Sequence, residues 1–206
     1  MSADGPLADA VPTPEPDWAA FDRLVDARID GWVAELVEFL RIPSEGGDAE
    51  HLREAADWTA ARMRRAGAAV DVVELPGVPP LVVGEFGDGP RTLASVVHYD
   101  VQPAAPLELW TTPPYEPVIR DGRVWGRGAT DNKGEFLPRV WALEAYRDAI
   151  GPLPCRVRHL VEGQEETGSG ALNDLLDQRP HTPVSNSECP RIRGQSHASK
   201  AKRFRL

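Results

Sequence analysis

Three short segments of this 206-residue chain carry one histidine and four carboxylates whose types suit a single site. They contain His98 with Asp100, then Asp131, and then the adjacent pair Glu165 and Glu166. Each segment follows a strand-like run, and loops at strand ends are where a rigid scaffold usually presents binding and catalytic residues. Imidazole nitrogen and carboxylate oxygen are ligands of hydrolytic zinc sites, which keep one position open for water. The set therefore indicates metal-assisted hydrolysis, with one carboxylate left over to act as a base.

Each of these residues also has a structural interpretation when it is considered alone. His98 ends an apolar strand and could be a core or edge residue, Asp131 precedes a helical pattern and could cap it, and a Glu-Glu pair is common on solvated surfaces. Asp100 shifts the balance for His98, because a metal-bound imidazole usually donates its second N–H to an acceptor such as a carboxylate. Taken singly, the structural alternatives stay open, and it is the combination that favours a site.

The adjacent glutamates suit a site that holds two metal ions. Such ions lie roughly 3.5–4 Å apart in hydrolytic sites, so a bridging anion is needed between them. Neighbouring side chains on an extended backbone point to opposite sides, but a loop relaxes this constraint. One carboxylate of the pair Glu165 and Glu166 can then bind metal, while the other stays unligated and takes a proton from the attacking water.

The order and spacing of the segments resemble the two-zinc peptidase family that includes carnosinase-type dipeptidases, aminoacylases and carboxypeptidase G. The resemblance rests on residues 98–103 (HYDVQP), 126–134 (GRGATDNKG) and 162–169 (EGQEETGS). Residues 40–44 and 109–115 also look like the end of the family's first helix and the stretch between its first two motifs. The similarity covers residues 18–176, and its motifs look most like those of the dipeptidase branch.

The resemblance implies a role for each candidate residue. His98 would bind one metal ion, Asp131 would bridge both ions, and Glu166 would bind the other. Glu165 would be the general base, which agrees with its position beside a ligand and the lack of an obvious basic neighbour. Asp100 would orient His98. The implied cofactors are two divalent ions, zinc or else cobalt or manganese.

The resemblance also implies a reaction, namely hydrolysis of a peptide or amide bond by a water molecule that two metal ions activate. The implied substrate is a dipeptide or an N-acyl amino acid, and a full-length member of the family could be a homodimer. A net charge of −9 and a pI near 5.1 argue against nucleic acid or an anionic membrane as a partner.

Several sequence features bound the location of the protein. The chain has no run of about 18 apolar residues, so we expect no transmembrane helix. The first residues lack the basic and apolar regions of a secretory signal. The two cysteines, Cys155 and Cys189, do not make a disulfide framework. We therefore expect a cytoplasmic, soluble protein.

Helical and strand-like patterns alternate along the chain, which predicts an α/β layered domain with a mostly parallel sheet flanked by helices. By the resemblance, this is the N-terminal part of a zinc-peptidase catalytic domain without its lid or dimerisation domain. Gly67 is well placed to end the second helix. The patterns predict helices over 18–40, 50–65 and 135–146, a helix that begins at 168, and strands over 70–75, 81–86, 91–98, 123–128 and 155–162.

The composition changes abruptly at Arg179, which divides the chain into three predicted regions. Residues 179–206 hold seven basic residues and one acidic residue, with few apolar ones. We expect 1–17 to be a flexible N-terminus, 18–178 a partial catalytic domain, and 179–206 a disordered basic tail whose onset suggests a truncated or out-of-frame end. The alternative for the tail is a basic arm that binds nucleic acid.

The same boundary leaves the implied metal site short of ligands. The family needs a further aspartate beyond the Glu-Glu motif and a distant histidine, and neither is recognisable here. Asn186 stands near the place of the aspartate, but a neutral amide is a poor substitute. Two hypotheses follow: a two-metal hydrolase, or a non-catalytic fragment that binds metal weakly.

Overall fold

The computed structural model describes residues 15–170, 172 and 173. Helix α1 spans Trp18–Leu40, α2 spans Ala49–Arg65 and α3 spans Lys133–Ala149. The predicted tail 179–206, most of the predicted N-terminal region and most of the helix predicted from 168 lie outside the described residues. The strands are β1 (Ala69–Val73), β2 (Leu81–Phe86), β3 (Thr92–His98), β4 (Val118–Arg120), β5 (Arg123–Trp125) and β6 (Arg156–Glu162).

The ends of the first two helices are set by residues visible in the sequence. The carboxylate of Asp17 accepts a hydrogen bond from the Ala20 N–H at 2.9 Å, and Asp48 caps α2 in the same way through the His51 N–H at 3.2 Å. Helix α2 ends just before Gly67, whose φ of 91° is the left-handed conformation typical after a helix.

No helix in the described part of the chain is long and apolar enough to cross a membrane.

The main sheet has the strand order β1-β2-β6-β3 and is mixed. Strands β3 and β6 pair in parallel, whereas β1 with β2 and β2 with β6 pair antiparallel. The layered α/β fold is confirmed, but the prediction of a mostly parallel sheet is wrong. The connections explain the difference: 74–80 and 87–91 are short and reverse the chain twice, and only the long connection through α3 permits a parallel return.

Strands β4 and β5 form a separate two-stranded ribbon, of which the sequence analysis predicted only the second strand. They are joined by Asp121 and Gly122, which both have positive φ, 55° and 70°. An Asp-Gly pair with two positive φ values is typical of the tight turn of a hairpin. The missed strand could therefore have been found from the turn that follows it.

A buried arginine joins the three helices away from the sheet edge. Arg62 of α2 is 1% exposed, and its guanidinium lies 2.6 Å from Glu35 of α1 and 2.6 Å from Glu144 of α3. The indole N–H of Trp141 donates to the same Glu35 carboxylate at 3.2 Å. Trp141 in turn stacks on Trp32, with ring centroids 5.6 Å apart. Helices α1, α2 and α3 are thus held together by one ionic cluster beside stacked aromatic rings.

Strand β3 lies at one edge of the sheet described here. Its first five residues, 92–96, include exposed apolar side chains, since Leu93 and Val96 are each 54% exposed. Its last residues, by contrast, are buried, with Val97 at 3% and His98 at 5%.

A buried histidine in β6 should make stability depend on pH. His159 is 3% exposed between Phe86 and Phe136, and its Nδ1 lies 2.5 Å from the Ser95 hydroxyl. Burial, with a smaller effect of Arg139, lowers the pKa of His159 to about 4. The unfolded chain therefore binds the proton first, so stability is complete above pH 6.5 and is lost as pH falls from about 6.5 to 4. We expect His159 to contribute a loss of about 2 kcal/mol between pH 7.5 and pH 5, measured by urea unfolding as the difference between the parent chain and His159→Gln.

His159→Gln should remove that part of the pH dependence, whatever its effect on stability at pH 7.5. His51→Gln is the matched control, because the hydrogen bond that the His51 ring donates to the Asp48 carboxylate raises the pKa of the half-buried His51. Its stabilisation is present at low pH and is lost as pH rises, which is the opposite sign. An unchanged difference between pH 7.5 and pH 5 in His159→Gln would contradict the assignment.

Candidate metal centre

The candidate residues meet at one end of the sheet because β3 and β6 run in parallel. In their register, His98 at the end of β3 lies opposite Glu162 at the end of β6. The chain continues from β6 into a 3-10 turn, Glu165–Thr167, which carries both glutamates of the adjacent pair. Ligand sites in α/β sheets form at the carboxyl ends of the strands. The carboxyl ends of β3 and β6 are therefore the usual position for a site.

The loop before α3 brings Asp131 to the same place. Its Oδ1 lies 3.1 Å from Nε2 of His98, and Oε2 of Glu165 lies 3.6 Å from the same nitrogen. One ligand atom each from His98, Asp131 and Glu166 lies within 4.8 Å of the others. The three residues predicted to bind metal thus converge, with Glu165 beside them, while the role of each residue remains a prediction.

Asp131 is not the cap of α3, although a capping role was the structural alternative. The residue that precedes the helix is Asn132, and its side chain makes no capping hydrogen bond. The side-chain amide oxygen of Asn132 instead accepts from the His98 backbone N–H at 3.4 Å. The Asp131 carboxylate is 70% exposed and faces His98.

Asp100 holds the far side of the His98 ring, as predicted, but through two kinds of oxygen. Nδ1 of His98 lies 3.0 Å from the Asp100 carbonyl oxygen and 3.3 Å from its carboxylate Oδ1. A proton on Nδ1 then leaves the lone pair of Nε2 directed at the other carboxylates. The other carboxylate oxygen of Asp100 accepts from the Glu166 backbone N–H at 3.0 Å. The fully buried Asp100 therefore positions both the imidazole and the Glu166 loop.

The crowding of carboxylates controls the charge of His98. Burial of the ring lowers its pKa, but the hydrogen bond and charge of Asp100, together with the charge of Glu165, outweigh burial and raise the pKa to about 9. Three carboxylates, those of Asp100, Asp131 and Glu165, lie 3.1–3.6 Å from one imidazole. The site therefore concentrates negative charge around a single basic group, and such an environment favours a cation.

The donor atoms fit a divalent metal ion. One imidazole nitrogen and two carboxylate oxygens make up the set of three protein ligands that a catalytic zinc site ordinarily has. The hydrogen bond between Nδ1 of His98 and the Asp100 carbonyl oxygen is the outer contact that such a ligand usually makes. His98, Asp131 and Glu166 could therefore hold a metal ion.

Two residues that support this centre were not predicted from the sequence. The Gln102 side-chain amide donates to Oε2 of Glu166 at 2.7 Å. Lys133 is fully buried behind the site, where its Nζ donates to the carbonyl oxygens of Phe39 and Ile42. Both residues lie in the motif segments 98–103 and 126–134, but a motif does not say which backbone carbonyls lie within reach of a side chain.

Comparisons with known proteins find similarity to peptidases. Residues 94–192 match the sequence model of Peptidase family M20/M25/M40. Beta-Ala-His dipeptidase of Rattus norvegicus is 34% identical over 169 residues, which cover 74% of this chain and 34% of the relative. Cys-Gly metallodipeptidase of Schizosaccharomyces pombe is 30% identical over 182 residues, which cover 81% of this chain and 38% of the relative.

The crystal structure of human carnosine dipeptidase 1 has the same fold over the matched part. The TM-score is 0.71 at 33% identity, and the match covers 80% of this chain and 38% of that one. The chain thus spans little more than a third of the length of the relatives that it matches.

The double contact of Asp100 gives a test of the centre. Asp100→Ala removes the acceptor of the Glu166 N–H and the carboxylate beside Nδ1 of His98, so the Glu166 loop loses its anchor and His98 keeps only its bond to the backbone carbonyl of residue 100. We expect zinc affinity, measured by titration calorimetry, to fall about 10- to 100-fold, as for outer partners of metal ligands. Gln102→Ala is the control, because it removes only one exposed hydrogen bond to Glu166 and should change the affinity far less. Equal effects of the two variants would contradict the role of Asp100.

Proposed function

We propose, from the premise that this chain belongs to the M20/M25/M40 peptidase family, that the complete protein hydrolyses a peptide or amide bond in a dipeptide or N-acyl amino acid. The observation that carries the proposal is the convergence of His98, Asp131 and Glu166 beside Glu165. Relatives that are named dipeptidases support the substrate class. The cofactors would be two divalent ions, zinc or else cobalt or manganese.

The proposed ligands divide between two ions. His98 and Asp131 would hold one ion, and Asp131 and Glu166 the other. The exposure of the Asp131 carboxylate, 70%, leaves it accessible to a second ion besides its contact with His98. When bound, the ions would supply Lewis acidity that activates water and polarises the carbonyl group of the substrate.

Glu165 is the proposed general base. Its carboxylate is 50% exposed and lies 3.6 Å from His98 Nε2, so it borders the cluster and is accessible to water. Glu166, by contrast, is engaged, because its carboxylate accepts from Gln102 and its backbone N–H donates to Asp100. Glu165 would take a proton from the attacking water and pass it to the leaving amine.

A second hypothesis concerns this chain itself, namely that it is a non-catalytic fragment which binds metal weakly. It rests on the length comparison, since the chain spans 34–38% of the relatives above. Three protein groups shared by two ions leave each ion with fewer ligands than the three of an ordinary catalytic zinc. The whole protein would then supply the remaining ligands and the substrate-gripping domain.

Of the predicted domain division, we retain as a proposal that 18–178 forms a partial catalytic domain, whereas the predictions for 1–17 and 179–206 fall largely or wholly outside the residues that the structure describes. We also retain as proposals a small peptide or N-acyl amino acid as partner, a homodimer for the complete protein, no nucleic-acid or membrane partner, and a cytoplasmic location.

Variants of the glutamate pair test the assignment of base and ligand. Glu165→Ala should retain zinc, because the base is not a ligand, and should abolish turnover in a complete form of the protein. Glu166→Ala should weaken zinc binding more than about 100-fold, beyond the 10- to 100-fold effects of outer partners. The measurement is zinc content after dialysis together with the calorimetric Kd. Equal loss of zinc in both variants would show that base and ligand are assigned wrongly.

The 206-residue chain should bind zinc weakly and show no measurable hydrolysis of dipeptides with a free carboxylate. Under-coordinated ions and poor substrate positioning both raise the barrier, and positioning alone can contribute about 7–11 kcal/mol. An assay with added zinc, cobalt or manganese decides between the two hypotheses. Turnover that disappears with a chelator and with Glu165→Ala would overturn the fragment hypothesis for this chain.

A further inference from the structure

The end of α1 and the loop after it contact two segments of the candidate metal centre, the one that follows His98 and the one that follows Asp131. We name residues 39–45 the α1 brace. On one side, the Ser44 hydroxyl donates to the Tyr99 carbonyl oxygen at 2.6 Å, and the Val101 N–H donates to the Ser44 carbonyl oxygen at 2.9 Å. Ser44, Tyr99 and Val101 are fully buried. These bonds fix the backbone on both sides of Asp100, in the segment that follows His98.

On the other side, Lys133 ties the Asp131 loop to the same brace. Its Nζ donates to the Ile42 carbonyl oxygen at 2.7 Å and to the Phe39 carbonyl oxygen at 3.0 Å, and it lies 4.6 Å from the centre of the Phe39 ring. The last carbonyl groups of a helix have no partner within the helix and carry partial negative charge, so they suit an amine. Lys133, the first residue of α3, is thus a further donor to two carbonyl oxygens at and just beyond the end of α1, which also accept from the Ile42 and Ser44 N–H groups.

Asp131 has little packing of its own, because its side chain is 70% exposed. The turn around it is tightly closed, since a Cβ added to Gly134 would lie only 1.9 Å from the Ala129 carbonyl oxygen. Gly134 N–H also donates to the Gly128 carbonyl oxygen at 3.3 Å. A displacement of Lys133 would therefore carry this closed turn, and Asp131 with it.

We propose that Lys133 is a positioning residue for metal binding, because its two bonds to the α1 brace set the distance between Asp131 and His98. The proposal rests on the proposed function, in which both residues bind the same ion. The position of His98 is fixed to the brace by the bonds of Tyr99 and Val101. The position of Asp131 is fixed to the brace by the bonds of Lys133. The 3.1 Å separation of their ligand atoms then reflects one shared frame.

The test uses the full 206-residue chain with zinc and cobalt ions alone as probes. Lys133→Met keeps most of the apolar stem but removes both donors to the brace. We expect the calorimetric Kd for zinc to rise about 10- to 100-fold, the range typical of outer partners of metal ligands. The absorption spectrum of the bound cobalt should also change, because the ligands would no longer share the same geometry.

Arg62→Met is the matched control, since it also replaces a buried basic side chain with methionine. Arg62 contacts α3 at Glu144, eleven residues or about 16 Å along the helix from Lys133. It should lower the melting temperature but leave the zinc Kd and the cobalt spectrum unchanged. Ser44→Ala removes a single hydrogen bond on the other side of the brace and should weaken zinc binding in the same direction as Lys133→Met.

The outcomes are distinct. If Lys133→Met melts earlier but binds zinc and cobalt as the parent chain does, Lys133 is only a stabilising residue and the proposal fails while the proposed function stands. If the parent chain itself binds no zinc, His98, Asp131 and Glu166 do not form a metal site in this chain, and this proposal fails, whereas the proposed function of the complete protein is tested by Glu165→Ala and Glu166→Ala in a complete form. If Lys133→Met does not fold, Ser44→Ala decides: an unchanged Kd overturns the proposal and a raised Kd with an altered cobalt spectrum supports it.

Discussion

The parallel pairing of β3 with β6 is the constraint on which the candidate site depends. It places His98 opposite Glu162 at the same end of the sheet, so that the chain after each strand enters the same space. Helix α3 makes this pairing possible, because a parallel return needs a long crossover. The crossover also delivers Asp131 just before α3 begins. One topological feature thus gathers groups that are 33 to 68 residues apart in the chain.

Negative charge is the second organising feature of the site. Four carboxylates surround one imidazole. The fully buried Asp100 is not one of the proposed metal ligands, but it contacts two of them, His98 and the backbone of Glu166. In the metal-free protein the proton on His98 partly neutralises this charge, which is the physical meaning of the raised pKa. A divalent ion would take over that neutralising role. The same electrostatic need would thus be met by a proton or by a metal ion, and the two would compete for Nε2.

Much of the fold could be predicted from local patterns. The predicted bounds of α1 and β2 are those observed, because Asp17 caps one and a clear apolar run makes the other. Strand direction could not be obtained in this way, because it depends on connection lengths and not on the residues within a strand. The strand Val118–Arg120 is short and half exposed, so its own residues indicate little, although the Asp-Gly turn after it was visible.

The convergence of the five site residues was predictable from the order of the motifs, and their contacts were not. The contact between Asp100 and His98 could be expected because a metal-bound imidazole usually has such a partner. The closer acceptor, however, is the backbone carbonyl of Asp100, a group that every residue type has. Lys133 was missed for the same reason, since both of its acceptors are backbone carbonyl groups of a helix end. Side-chain to backbone contacts depend on three-dimensional proximity alone.

The exposed outer part of β3 has a consequence for how this chain behaves at high concentration. An edge strand offers its unpaired backbone groups to any extended segment it meets, and apolar side chains beside them add a hydrophobic driving force. Leu93 and Val96 provide such side chains at the edge of the sheet described here. Self-association through β3 would therefore compete with the monomer as concentration rises, and a single charged residue at position 96 would be the simplest means of preventing it.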